Sequence, residues 1–132
     1  MSQSFTVWSD ERLEWLFIEV KKHLGAFSRK TWNQAPTAKR GYHLSNKEVK
    51  GIYQVLFEDF KIKFSSDGFK MPKSPDALKQ QVSWATTTQK SVDEYQCGIQ
   101  RKNRLIAYKT GFMTMMDIMY LEHEASLPAP GA

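Results

Sequence analysis

Residues 45–63 read Ser45-Asn46-Lys47-Glu48-Val49-Lys50-Gly51-Ile52-Tyr53-Gln54-Val55-Leu56-Phe57-Glu58-Asp59-Phe60-Lys61-Ile62-Lys63. Ser45 and Glu48 have the spacing of a capping box, in which the serine oxygen and the glutamate carboxylate satisfy free amides at a helix start. Val49, Ile52, Tyr53, Leu56, Phe57 and Phe60 then recur at intervals of three and four, while Lys47, Lys50, Gln54, Glu58 and Lys61 gather on the opposite side. This predicts an amphipathic helix whose apolar face needs a cover from other elements. Gly51 falls on the outer face at a cost of about 1 kcal/mol relative to alanine. It is either a point of close approach or a neutral position.

The flanking sequence is helical in the same way. Upstream, Ser9 caps a first helix with Asp10, Glu11 and Arg12 in its first turn, Lys21 and Lys22 near its end and Gly25 as its stop. Leu13, Leu16, Phe17 and Val20 form its apolar stripe, widened by Trp15 and Leu24. A short second helix is expected from Ser28 to about Ala35, ended by Pro36, and a loop from Gln34 to Tyr42. Downstream, Phe64–Lys73 reads as a turn-rich connection around Ser65-Ser66-Asp67-Gly68. Ser74-Pro75-Asp76 opens a helix with Leu78, Val82 and Ala85 as its stripe, weakened at its end by Thr86-Thr87-Thr88. Ser91-Val92-Asp93-Glu94 is a second capping box, from which a long helix runs to about Glu122 with a break expected near Gly98. Residues 125–132, which include Pro128 and Pro130, read as a disordered tail. The expected class is all-α, with a tri-helical unit over 1–70 and a helical extension over 74–124 that packs on it or on a partner.

With 132 residues, 41% of them hydrophobic and 25% charged, the chain has the composition of one ordinary soluble domain with a possible helical appendage. A core of this size needs no disulfide or metal, and the lone Cys97 has no partner with which to form an internal bridge. Met1–Val7 lacks the basic start and apolar run of a secretory leader, so an intracellular, reducing location is expected. Thr110–Leu121, interrupted by Asp117, is shorter than the ~20 residues of a membrane span.

The net charge of +5 is concentrated. Residues 26–50 carry six basic side chains and one acidic, an excess equal to that of the whole chain. Arg29, Lys30, Lys39, Arg40, Lys47 and Lys50 make up that block, with Trp32 and Tyr42 among them. Such a block suits contact with phosphates, and equally suits an ordinary solvated loop.

Trp8-Ser9-Asp10-Glu11, with Leu16, Phe17, Val20, His23 and Gly25, resembles the first helix of a Myb/SANT-type repeat. Trp8, Trp32 and Tyr53 would take the places of that family's spaced core aromatics, and Val49–Lys63 followed by Asp67-Gly68-Phe69 is similar to its third helix and the segment after it. The likeness covers about Val7–Phe69. It implies a helix-turn-helix variant whose third helix enters the major groove of double-stranded DNA. Asn46, Lys47, Lys50 and Gln54 would then face base edges, since lysine donates to guanine acceptors and asparagine pairs with adenine. Arg29, Lys30, Lys39 and Arg40 would neutralise flanking phosphates. A nuclear location in a eukaryotic cell would follow. The SANT branch of the same resemblance implies a protein ligand instead, such as a histone tail, and the acidic Asp10, Glu11, Glu14, Glu19, Glu48, Glu58 and Asp59 suit that branch.

In the second half Leu105, Tyr108, Phe112, Met115, Met116 and Met119 lie on one helical stripe, broadened by Ile106, Met113, Ile118 and Leu121. The stripe is either core or the seam of a homo-oligomer or partner complex, where flexible methionines adapt to varied surfaces. Arg101, Lys102, Arg104 and Lys109 extend a nucleic-acid face or solvate a helix. No phosphate-binding glycine loop, zinc-protease helix or paired-cysteine motif is present, and His23, His43 and His123 lack ligand spacing. Acidic Asp93 and Glu94 near Cys97 argue against an activated thiol. No enzymatic activity, metal or cofactor is expected.

Overall fold

The computed structural model describes residues 7–27, 45–88 and 94–126, and among these the chain is all-helical. The helices are α1 (Asp10–Leu24), α2 (Asn46–Lys63), α3 (Pro75–Thr86), α4 (Glu94–Lys109) and α5 (Met115–Ser126). The expected helix over 28–35, Trp32, the loop to Tyr42 and the residues before Glu94 in the second capping box lie outside the described residues.

Local chemistry sets the helix ends. Ser9 Oγ accepts from Arg12 N at 3.2 Å to start α1, and Gly25, at φ 88°, ends it with its N–H on the Lys21 carbonyl. The box at the start of α2 is reciprocal. Ser45 Oγ accepts from Glu48 N, and the Glu48 carboxylate accepts from Ser45 N, both at 3.1 Å. Pro75 occupies the first turn of α3, where its missing amide costs nothing.

The break in the second half falls at Gly111, not at Gly98. Gly111 takes φ 78°, a conformation open to glycine at little cost, and the Gly111 and Met113 amides donate back to the Tyr108 and Ala107 carbonyls of α4. Thr114 and Asp117 then form a reciprocal cap for α5. Asp117 N donates to Thr114 Oγ1 at 3.1 Å, and Thr114 N donates to the Asp117 carboxylate at 3.0 Å. At the other end α5 includes Ala125 and Ser126, so helix continues into the segment expected to be tail.

Helix α3 lies between α2 and α4, and α1 packs mainly along α4. The buried side chains form one cluster. Leu13, Leu16, Phe17 and Val20 of α1, Tyr53, Leu56 and Phe60 of α2, Leu78 and Val82 of α3, Ile106 and Ala107 of α4 and Ile118 and Leu121 of α5 all belong to it. The cluster thus continues across the connection at 70–74 into the helical extension. Buried polar groups tie the layers together. Asn103 Nδ2 donates to the Gln81 carbonyl at 2.8 Å and to the Gln81 side-chain oxygen at 3.1 Å. Arg104 donates to the Ala85 and Thr87 carbonyls at 3.3 and 2.6 Å, satisfying the C-terminal end of α3. Burial lowers the Arg104 pKa from its ordinary value, and the charge of Glu122 opposes the shift.

The expected single stripe of the second half divides in two. Phe112 is fully buried and stands in the turn between helices, stacked on Phe17 with ring centroids 5.5 Å apart. It therefore does not belong to an interaction surface. Ile106, Met113, Ile118 and Leu121, expected only to broaden the stripe, are its buried part, whereas Leu105, Tyr108, Met115, Met116 and Met119 face solvent. The turn at Gly111 resets the helical phase, so one periodicity cannot span both helices.

Candidate nucleic-acid interface

The N-terminal half of α2 carries the candidate site. Tyr53, Leu56, Phe57 and Phe60 bury one side of the helix, with Val49 and Ile52 half-buried beside them. Lys47, Lys50, Gly51 and Gln54 are exposed on the other side, and Asn46 is exposed at the first residue of the helix. The far end of the helix is held by Arg12, whose guanidinium is fully buried and pairs with Asp67 in the turn that follows α2. Around that pair Trp8, Trp15, Phe60 and Phe64 pack ring on ring, with centroids 4.8–5.8 Å apart. Trp8 and Tyr53, two of the three aromatics in the Myb/SANT-type comparison, are thus half-buried and buried respectively.

Charge along the outer side of α2 changes from end to end. Lys47 and Lys50 project from the first two turns, where the only acid, Glu48, is engaged in the capping box. Farther along, Glu58 accepts from Gln54 Nε2 at 3.0 Å and pairs with Lys61 at 3.1 Å, and Asp59 is exposed. The structure brings Asn46, Lys47, Lys50 and Gln54 onto one helix, with the Gln54 amide turned towards Glu58. Arg29, Lys30, Lys39 and Arg40 lie outside the described residues.

The basic residues of α4 add little to this face. Lys102 pairs with Asp10 at 3.0 Å, Lys109 pairs with Glu14 at 3.1 Å and Arg104 is buried on α3 carbonyls. Three of the four cations considered as an extension are therefore spent within the fold. Val55, in contrast, was not singled out by the sequence and is 52% exposed, four residues beyond Gly51. Its spacing from Gly51 is the signal that places it on the outer side, where a methyl surface can meet the C5-methyl of thymine.

A Cβ built on Gly51 meets nothing within 4 Å. Gly51→Ala is accordingly expected to raise stability by about 1 kcal/mol, read as a higher urea midpoint. If the glycine serves close approach to a duplex, the same variant binds DNA more weakly despite its greater stability.

Among the described residues no group of three His, Cys, Asp or Glu side chains is placed to hold a metal ion, and no helix is long and apolar enough to cross a membrane. Compared with known protein families, curated proteins and solved structures, the chain matches none.

Proposed function

We propose that this chain is a non-enzymatic, intracellular protein that binds double-stranded DNA, laying the outer side of α2 in the major groove with the basic segment 29–40 on flanking phosphates. One observation carries the reading. Lys47, Lys50 and Gln54 share the solvent-facing side of a helix whose opposite side is fixed in the core, and Asn46 is exposed at its first residue. A rigid helix with one polar, cationic side is the shape that a major groove about 12 Å wide admits. Asn46 and Gln54 offer the paired donor and acceptor that adenine requires, and Lys47 and Lys50 suit guanine or phosphate. Gln54 gives one amide hydrogen to Glu58 and keeps a second N–H and its oxygen for a base edge. The resemblance to Myb/SANT-type repeats supports the same placement of a reading helix.

Fluorescence anisotropy of a labelled random-sequence duplex between 50 and 200 mM salt tests the reading. Binding is expected to weaken with a log–log slope of roughly −4 to −6, as release of counterions from about five or six phosphates requires. Lys47→Glu combined with Lys50→Glu is expected to reduce affinity at least tenfold with an unchanged helical signal. Unchanged affinity in that variant removes α2 as the reading element, and no binding at 50 mM salt removes the DNA reading altogether. A protein-interaction role is favoured by a separate observation, the exposed apolar side chains of α4 and α5.

A further inference from the structure

Leu105 and Tyr108 of α4 and Met115, Met116, Met119 and Tyr120 of α5 are 46–76% exposed. The chain reverses at Gly111, α5 contacts α4, and its buried Ile118 and Leu121 share the core with Ile106 and Ala107 of α4. The two exposed sets therefore flank one helical hairpin. Met116, Met119, Tyr120 and His123 recur at the spacing of one helix side, opposite buried Ile118 and Leu121. At roughly 200 Å² for each large side chain, the six leave on the order of 700 Å² exposed, above the few hundred Å² that a monomer commonly shows as a single patch.

We infer that a second copy of this chain covers this face, with α5 packing antiparallel on α5 about a twofold axis near Met119. Area is the first support. About 800 Å² per partner is the usual size of a stable interface, and the six side chains supply most of it. The helix dipole is the second, because an antiparallel pair of α5 helices opposes their two dipoles, whereas a parallel pair aligns them. A twofold interface is self-complementary in this sense, each copy offering both halves of every contact. Methionines at its centre repack around a symmetry mate at little cost. The inference does not depend on DNA binding.

Sedimentation of the full chain between ~1 and ~100 μM tests it, in the range where an interface of this size associates. The expected result is a concentration-dependent rise towards twice the 15.3 kDa chain mass. Met116→Glu with Met119→Glu is expected to remain monomeric throughout with an unchanged helical signal, because both side chains are exposed, and to lose any concentration dependence of its melting. A second pair of variants decides the matter if that one misfolds. With Cys97 replaced by serine, Met119→Cys is expected to form a disulfide-linked dimer when diamide is the oxidant, while Ile62→Cys, on α2 and 76% exposed in the native residue, does not. A monomer at every concentration, a folded Met116→Glu, Met119→Glu variant that still dimerises, or equal cross-linking at positions 62 and 119 overturns the assignment.

Discussion

Arg12→Ala is expected to lower the stability of the protein by about 3–5 kcal/mol, because it leaves a buried constellation without its charge. The guanidinium is 0% exposed and engages Asp67 through both Nε and Nη2, at 2.8 and 2.6 Å. Nη1 donates to the Val7 carbonyl at 2.8 Å and to the Lys70 carbonyl, and Nη2 reaches the Phe69 carbonyl at 3.3 Å. The rings of Phe60, Phe64 and Phe69 surround the same carbon at 5.1–5.5 Å. One side chain thus joins the start of α1 to the chain that leaves α2. A lysine cannot supply this planar fork, so Arg12→Lys is expected to cost nearly as much. A loss below about 1 kcal/mol for Arg12→Ala in urea unfolding contradicts this account, since exposed ion pairs contribute no more than that.

Acid titration separates the charge of the pair from its packing. The hydrogen bond from Arg12 is the main cause holding the Asp67 carboxyl below the usual carboxylate range, and partial burial opposes it. A carboxyl lowered in the folded state stabilises fully above its unfolded value, near ~3.9, and that contribution disappears as pH falls through the lower folded value. Asp67→Asn is expected to cost on the order of 2 kcal/mol at neutral pH, less than Arg12→Ala, because the backbone carbonyl acceptors remain. It is also expected to flatten the acid limb of the stability curve.

The helices were legible wherever a cap and a sustained period coincide. Ser9 with Gly25, Ser45 with Glu48, and Pro75 mark the limits of α1, α2 and α3 within a residue or two, since each reports backbone chemistry confined to one turn. Arg12 was invisible as a core residue. In sequence it is one charge among first-turn acids, and its burial depends on Asp67, 55 positions away. The turn at Gly111 was missed because apolar residues on both sides of it fit a single period by chance. The Thr114–Asp117 cap that marks the restart is a shorter-chained relative of the usual box. On the candidate face, the exposure of Lys47, Lys50 and Gln54 followed from the period of α2, whereas the choice of Asn46 came from the Myb/SANT-type resemblance. The internal pairing of Lys102 and Lys109 did not follow, because it is set by how α1 lies against α4.

Phe112→Asp is expected to unfold the whole chain, and Phe112→Ala to cost about 3–5 kcal/mol, a large share of the 5–15 kcal/mol typical of a domain. Phe112 is 0% exposed, stacked on Phe17 at 5.5 Å and set against Phe27 at 6.4 Å, and its carbonyl accepts from Phe27 N at 2.7 Å. The ring therefore seals the far end of α1 against the turn that starts α5. A carboxylate there would lose its hydration among the Phe17 and Phe27 rings, a burial that costs several kcal/mol on the order expected of an unpaired polar group. The extent of the damage is the informative part. Trp8 and Trp15 sit on Phe60 and Phe64 at the other end of α1, in the half read from sequence as a separate tri-helical unit. With one continuous core, tryptophan fluorescence and far-ultraviolet circular dichroism of Phe112→Ala are expected to shift together to a lower urea midpoint with a single transition. If the first half were an autonomous unit with the extension merely docked on it, the fluorescence midpoint would stay at its wild-type value while part of the helical signal melted early. Coincident transitions would make the outer side of α2, the proposed DNA-facing side, dependent on packing that lies beyond residue 70, so a variant lacking the second half would lose that surface through loss of the fold.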